Sequence, residues 1–185
     1  MILASASPQR RAILASLGVA FEVRPSDVDE IDEGPPVVVA RENALRKAVA
    51  VHGTEGGVVL GVDTVVALGL ELWGKPSSTD AAAETLRRLS GQTHQVVSGF
   101  ALVAADGSVT AGDDTTLVTF RELDEATIAW YLGCGEWEGR AGGYAIQGRG
   151  GALVRRIEGD YLNVVGLPVG ALLDAGVPLT GPTTA

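Results

Sequence analysis

Asp63 directly follows Val58-Val59-Leu60-Gly61-Val62, a run of strand length, and directly precedes Thr64 and more apolar sequence. A carboxylate at the end of a buried strand loses hydration, and an unpaired buried charge is costly. It therefore needs a metal ion, a cationic partner, or hydrogen bonds from Thr64 and nearby amides. Glu30 lies upstream in an acidic loop with Asp27, Asp29, Asp32 and Glu33. Such loops are usually solvated faces. Hard divalent cations nevertheless need oxygen ligands, and Mg²⁺ takes one or two carboxylates together with substrate phosphates. If one residue of this loop meets Asp63 in space, a phosphate–metal site follows, although spacing alone does not say which one.

Groups suited to phosphate lie nearer the start. Ser5, Ser7, Arg10 and Arg11 fall at or just inside a helix opened by Pro8, where free backbone N–H groups and the helix dipole favour an anion. Hydroxyls add hydrogen bonds, and Arg can grip two phosphate oxygens at once. The same residues equally describe Ser7 as an N-cap with arginines in solvent. Of fourteen basic residues only Lys47 and Lys75 are lysines, which marks both for attention. Lys47 follows Arg46 on a predicted helix, where an exposed face is the plain reading.

Lys75 closes Gly69-Leu70-Glu71-Leu72-Trp73-Gly74-Lys75-Pro76, a near match to the P-loop pattern. Pro76 stands where a hydroxyl should bind Mg²⁺, and the supposed loop is an apolar hairpin, so the P-loop is excluded. A Lys in a Gly-Lys-Pro turn, able to reach an anion, remains. Acyl-transfer chemistry has little support, with only His52 and His94 available and no GxSxG elbow. The stretch Gly139-Arg140-Ala141-Gly142-Gly143-Tyr144-Ala145-Ile146-Gln147-Gly148 is not GxGxxG. Its glycines suggest close backbone approach, and Gln147 can read a base edge by paired hydrogen bonds.

The elements that must position these groups alternate between helix and strand. Ile2 to Ala4 reads as a short strand, followed by a helix from Pro8 with Ile13, Leu14 and Leu17 at helical spacing and Gly18 beyond its end. Val19 to Val23 alternates like a strand. Pro35 and Pro36 open a helix to about His52, with Val38, Leu45 and Val49 among its apolar positions. Val58 to Val62 is a strand, and a hairpin turns at Gly69. A helix capped by Thr79 or Asp80 runs to Leu89, strands follow near 94–104 and 109–120, and a helix begins at Asp124. After the glycine-dense stretch come strand-like Ala152 to Ile157, a short helix from Pro168, and a loose tail beyond Pro178. The pattern predicts α/β with a mixed sheet.

Composition narrows the classes. The 185 residues are 46% hydrophobic and 20% charged, as a globular chain is, with no repeat or linker to mark an internal boundary. No uncharged apolar run reaches the roughly 18 residues of a membrane span, and the first residues show no basic stretch followed by an apolar one, so no signal peptide is expected. The one cysteine, Cys134, cannot form an internal disulfide and suits a reducing cytoplasm. A net charge of −9 argues against nucleic acid, whose backbone needs a basic surface. One small polyphosphate can still be held by a local pocket or a metal.

Taken in order, several segments resemble the Maf family of nucleoside triphosphate pyrophosphatases. They are Leu3-Ala4-Ser5-Ala6-Ser7-Pro8 with Arg10, then Glu30, then Glu42-Asn43-Ala44 with Lys47-Ala48. Gly61-Val62-Asp63-Thr64-Val65-Val66, Gly74-Lys75-Pro76 and Leu89-Ser90-Gly91 with His94 follow. The last block runs from Gly135-Glu136-Trp137 through Ala145-Ile146-Gln147-Gly148 to Ile157-Glu158-Gly159-Asp160-Tyr161 and Val165-Gly166-Leu167-Pro168. The matches span nearly the whole chain.

The resemblance implies an ITPase-like α/β fold in one domain over 1–185, with a long mixed sheet, flanking helices and two lobes around a cleft. It also implies a homodimer, and hydrolysis of a nucleoside triphosphate to monophosphate and pyrophosphate with a divalent metal, Mg²⁺ or Mn²⁺. By the same resemblance Asp63 is the catalytic proton acceptor, and Glu30 and Asp63 are the acidic metal-side pair. Ser5, Ser7, Arg10, Lys47 and Lys75 are phosphate-side residues, and Gln9, Thr64 and Gln147 occupy substrate-selecting positions. Ala-Ile-Gln-Gly is similar to the dTTP/UTP branch rather than the 7-methyl-GTP branch. One position departs: the family usually reads Ser-Pro-Arg-Arg, whereas this chain has Ser7-Pro8-Gln9-Arg10. Gln supplies neither an arginine's charge nor its fork, which leaves room for a broad or 7-methyl-GTP-type sanitising enzyme. A nucleotide-sensing regulator of septum formation is the alternative from another class.

Overall fold

The computed structural model describes residues 1–179. Most of the tail beyond Pro178 therefore lies outside the described residues. A seven-stranded sheet runs in the order β2-β1-β3-β5-β6-β7, with β4 paired to β3. The strands are β1 (Ile2–Leu3), β2 (Glu22–Val23), β3 (Val59–Leu68), β4 (Glu71–Trp73), β5 (Thr93–Val103), β6 (Val109–Phe120) and β7 (Val154–Glu158). The helices are α1 (Pro8–Ser16), α2 (Pro36–Glu55), α3 (Thr79–Leu89), α4 (Glu125–Leu132), α5 (Tyr161–Val165) and α6 (Val169–Asp174). β1 is parallel to β2 and β3, whereas β3, β5, β6 and β7 are successively antiparallel. The mixed sheet is as expected.

Local chemistry accounts for most boundaries. Ser7, Ser78, Asp124 and Asp160 cap α1, α3, α4 and α5 by accepting backbone N–H bonds with their side chains, as short polar side chains at helix starts do. The cap of α3 is thus Ser78, one residue before the expected Thr79 or Asp80. β2 is only two residues long, and Val19, expected in it, instead donates its N–H back to Leu14 O of α1 at 3.1 Å. α5 was not foreseen: Asn163 draws this apolar stretch onto the sheet by donating to Val96 O (3.1 Å) and Thr116 Oγ1 (3.0 Å).

Two further expectations are corrected. Asp63 is not at a strand end, because β3 continues through it to Leu68 and pairs with β5 along almost its whole length. Of the apolar positions expected on α2, only Leu45 packs against the core, and it is partly buried. Val38 and Val49 are exposed, while Val39, Ala40, Asn43, Ala44, Lys47, Ala48 and Val51 are buried. The reason is close approach. A Cβ on Gly61 would strike the backbone of Ala44, and one on Gly99 would strike that of Ala40. Only small residues suit a helix seated this near the sheet.

The buried side chains form separate clusters along β3 and β5. Leu60, Val62 and Phe100 pack with α1 and α6 through Leu14 and Leu172. Val66 and Val96 pack instead with α3 and α4 through Leu86 and Ile128. Asp63 and Thr64 lie on β3 between the two, which is where the cleft opens.

Candidate active site

Successive residues of a strand point to opposite faces, so Asp63 and Thr64 find different partners. Asp63 faces α2. Its Oδ1 accepts from Lys47 Nζ at 2.6 Å, and its Oδ2 accepts a longer bond, 3.3 Å, from Asn43 Nδ2. Asn43 and Lys47 are four residues apart on one helix face, which lets both reach the same carboxylate. The Lys47 ammonium also meets Glu30 Oε1 at 2.7 Å. Lys47 and Asp63 are both buried, while the Glu30 side chain is about half exposed. One ammonium thus bridges the two carboxylates singled out from sequence, and Lys47 is not the exposed helix residue it first resembles.

Asn43 also fixes the acidic loop. Its Oδ1 accepts Ile31 N at 2.8 Å, and its Nδ2 donates to Ile31 O at 2.9 Å. One side-chain amide therefore clamps the backbone beside Glu30 while touching Asp63. Sequence reasoning assigned Asn43 no role. The available signal was its spacing from Lys47.

Thr64 faces the other way, toward Arg10. The Arg10 guanidinium donates to Thr64 Oγ1 (3.0 Å), Ser5 Oγ (2.9 Å) and Gly166 O (2.9 Å). Burial pulls its pKa below the ordinary arginine value, while the nearby charges of Asp63 and Glu30 oppose that shift. Gly166 ends α5 with φ 125°, so the turn held by Asn163 delivers the carbonyl that anchors Arg10. Ser7 is indeed the N-cap of α1, and its hydroxyl donates to Gln9 Oε1 at 3.2 Å.

The opposite wall is the β3–β4 hairpin and the glycine-dense stretch. Gly142 N donates to Gly74 O at 3.1 Å, which joins the Gly-Lys-Pro turn to the segment after Arg140. Gly142 has φ 68°, and a Cβ there would lie 2.9 Å from a methyl group of Val66. The glycine thus serves both turn and close packing. Behind this wall His94, fully buried, shares a hydrogen bond of 2.9 Å with Tyr144 Oη and stacks edge-on with Phe120. Burial pushes His94 down to about 4 and raises Tyr144 above the ordinary tyrosine range.

The cleft between these walls has a volume of about 740 Å³. Ser5, Ser7, Gln9, Arg10, Glu30, Lys47, Asp63, Thr64, Lys75 and Gln147 are brought together there, and Asn43, Arg140 and Tyr144 join them. The profile of the Maf-like proteins matches residues 1–175. The chain belongs to the Maf family.

Similar members include the dTTP/UTP pyrophosphatases of Myxococcus xanthus and Moorella thermoacetica. The first is 45% identical over 97% of this chain and 94% of that protein. The second is 47% identical over 91% of this chain and 89% of that protein. Among solved structures, a dITP/XTP pyrophosphatase of Mycobacterium abscessus aligns with a TM-score of 0.46 at 21% identity, over 66% of this chain and 74% of that one. The Maf cleft also bears on a metal ion. No group of three or more His, Cys, Asp or Glu residues able to hold a metal occurs among the described residues. The two carboxylates of Glu30 and Asp63 alone fit a hard divalent ion only if substrate oxygens complete its shell. Among the described residues, no helix is long and apolar enough to cross a membrane.

Proposed function

We propose that the chain hydrolyses a nucleoside triphosphate, dTTP or UTP and related pyrimidine nucleotides, to the monophosphate and pyrophosphate. The observation that carries the reading is the Asp63–Lys47–Glu30 bridge in a cleft wide enough for a nucleotide. Lys47 holds Asp63 Oδ1, leaving Oδ2 with one long bond. That oxygen accepts the proton of a water attacking the α-phosphorus. As the new P–O bond forms, the bond to the bridging oxygen breaks and its electron pair leaves with pyrophosphate. Cationic side chains stabilise the charge that gathers there. Glu30 and Asp63 are the residues that would hold Mg²⁺ or Mn²⁺, and a bound divalent ion would polarise the phosphoryl oxygens and acidify the water.

Gln147 and Gln9 line the cleft as neutral amides able to read a base, and Thr64, held by Arg10, lines it with them. The names of the relatives support pyrimidine triphosphates. A homodimer in the cytoplasm belongs to the same reading, with sedimentation and fractionation as its checks. The deciding experiment is pyrophosphate release from dTTP, UTP, CTP, ITP and 7-methyl-GTP with Mg²⁺ or Mn²⁺. Pyrimidine turnover is expected. Turnover confined to 7-methyl-GTP or ITP would overturn the base assignment, and binding without pyrophosphate release would overturn the enzymatic reading in favour of a sensor.

A further inference from the structure

Four cationic side chains line the cleft, and they are not equivalent. Arg10 spends its donors on Ser5, Thr64 and Gly166, and Lys47 is shared between Glu30 and Asp63. Both are buried, so their charge is largely committed to the protein itself. Lys75 and Arg140 differ: among the described residues neither has a carboxylate within ion-pair distance.

The backbone brings these two together. Arg140 O accepts from Gly143 N at 3.0 Å, and Gly142 N is bonded to Gly74 O, next to Lys75. Arg140 is half-buried, and its Nε is hidden from water without a hydrogen-bond partner among the described residues. A hidden guanidinium N–H without an acceptor is costly. A planar fork held against a cleft wall is also prepared for a ligand with several anionic oxygens.

We infer that Arg140 is a substrate-binding residue that grips the polyphosphate chain together with Lys75, on the wall facing Asp63. The inference rests on the triphosphate reading above and adds to it the residue that holds the pyrophosphate end. Arg140 takes no part in proton transfer, so its loss weakens binding more than turnover.

The test compares wild type with Arg140→Ala, Arg140→Lys and Arg140→Gln for dTTP hydrolysis and for affinity toward inorganic pyrophosphate by calorimetry. For Arg140→Ala, KM for dTTP and Kd for pyrophosphate should both rise on the order of tenfold, as for loss of a charge-assisted hydrogen bond. Arg140→Lys should recover part of both, and Arg140→Gln little of either. Arg140→Gln keeps the aliphatic stem and a polar, uncharged end and gives the same readout should the alanine variant fail to fold. Unchanged KM and pyrophosphate affinity in a folded variant of an active enzyme would overturn the inference and leave the function standing. Absence of triphosphate turnover in wild type, with pyrophosphate affinity still dependent on Arg140, would overturn the function and leave this anion site standing.

Discussion

The walls of the cleft contain two buried polar clusters that solve the same problem in opposite ways. Around Asp63 the groups are charged and paired: a buried ammonium bridges two carboxylates, and Asn43 supplies a further donor. Around His94 the groups are neutral: imidazole and phenol share one hydrogen bond, with Phe120 edge-on to both rings. Burial holds His94 at about 4 and lifts Tyr144 well above its ordinary value, so both stay uncharged near pH 7. The charged cluster faces the cleft, where a triphosphate would meet it. The neutral one braces the glycine-dense wall from behind, since Tyr144 lies in that stretch. Charge is kept where chemistry needs it and removed where packing alone is at stake.

The largest effect expected from breaking this division is at Asp63. Asp63→Asn keeps the shape of the side chain and an acceptor for Lys47 but cannot take a proton. The loss of a general base should lower kcat by about 10²–10⁴, while Glu30 remains as an anionic partner for the Lys47 ammonium. Near-normal pyrophosphate release from a folded Asp63→Asn protein would remove Asp63 from the mechanism.

Next in size is Lys47→Met, which strands the buried Asp63 carboxylate. Removing one partner of a buried pair costs about 3–5 kcal/mol, measurable by urea denaturation. Replacing both, as Lys47→Met with Asp63→Leu, should restore much of that stability while leaving no activity. If the double variant were no more stable than Lys47→Met, the bridge would not be the source of the loss. Glu30, being half exposed, contributes less to this balance than Asp63.

Asn43→Ala tests the connection between the clamp and the bridge. It removes both bonds to Ile31 and the bond to Asp63, a loss of about 1–3 kcal/mol for partly buried groups left unpaired. Because the Ile31 bonds hold the loop beside Glu30, kcat should fall while KM for dTTP changes little. A variant that lost stability with kcat intact would reduce Asn43 to a structural clamp.

How far these clusters were legible in the sequence depended on where their partners lie in the chain. Most helices and strands carry local signals, such as Pro8 and the capping Ser and Asp residues, and these were readable. The need of Asp63 for a partner was readable from its apolar surroundings. That it sits within β3 was not, because Lys47 and Asn43, which make a mid-strand carboxylate tolerable, come from a helix 16 and 20 residues away. The α2 pattern misled for a related reason. Gly61 and Gly99 admit the helix so closely that alanines face the sheet and the larger Val38 and Val49 face out. Arg140 drew no notice because its importance lies in lacking a partner, and only the folded arrangement reveals that.

The smallest effect at neutral pH, and the sharpest contrast with Lys47, is expected at His94. Its ordinary pKa of 6.5 falls to about 4 on folding because of burial. The unfolded chain therefore binds more protons between those values, and stability rises with pH across that window. The contribution is fully present above about 6.5, erodes as the pH drops, and is gone near 4. From pH 7 to pH 5 the loss should be on the order of 2 kcal/mol. His94→Leu removes the titrating ring, so urea denaturation of the variant should lack that part of the acid loss. Its cost from leaving Tyr144 without a partner should be the same at both pH values and so cancels from the comparison. A variant as acid-sensitive as wild type would mean that His94 is protonated in the fold, and the contrast between a charged and a neutral wall would fail.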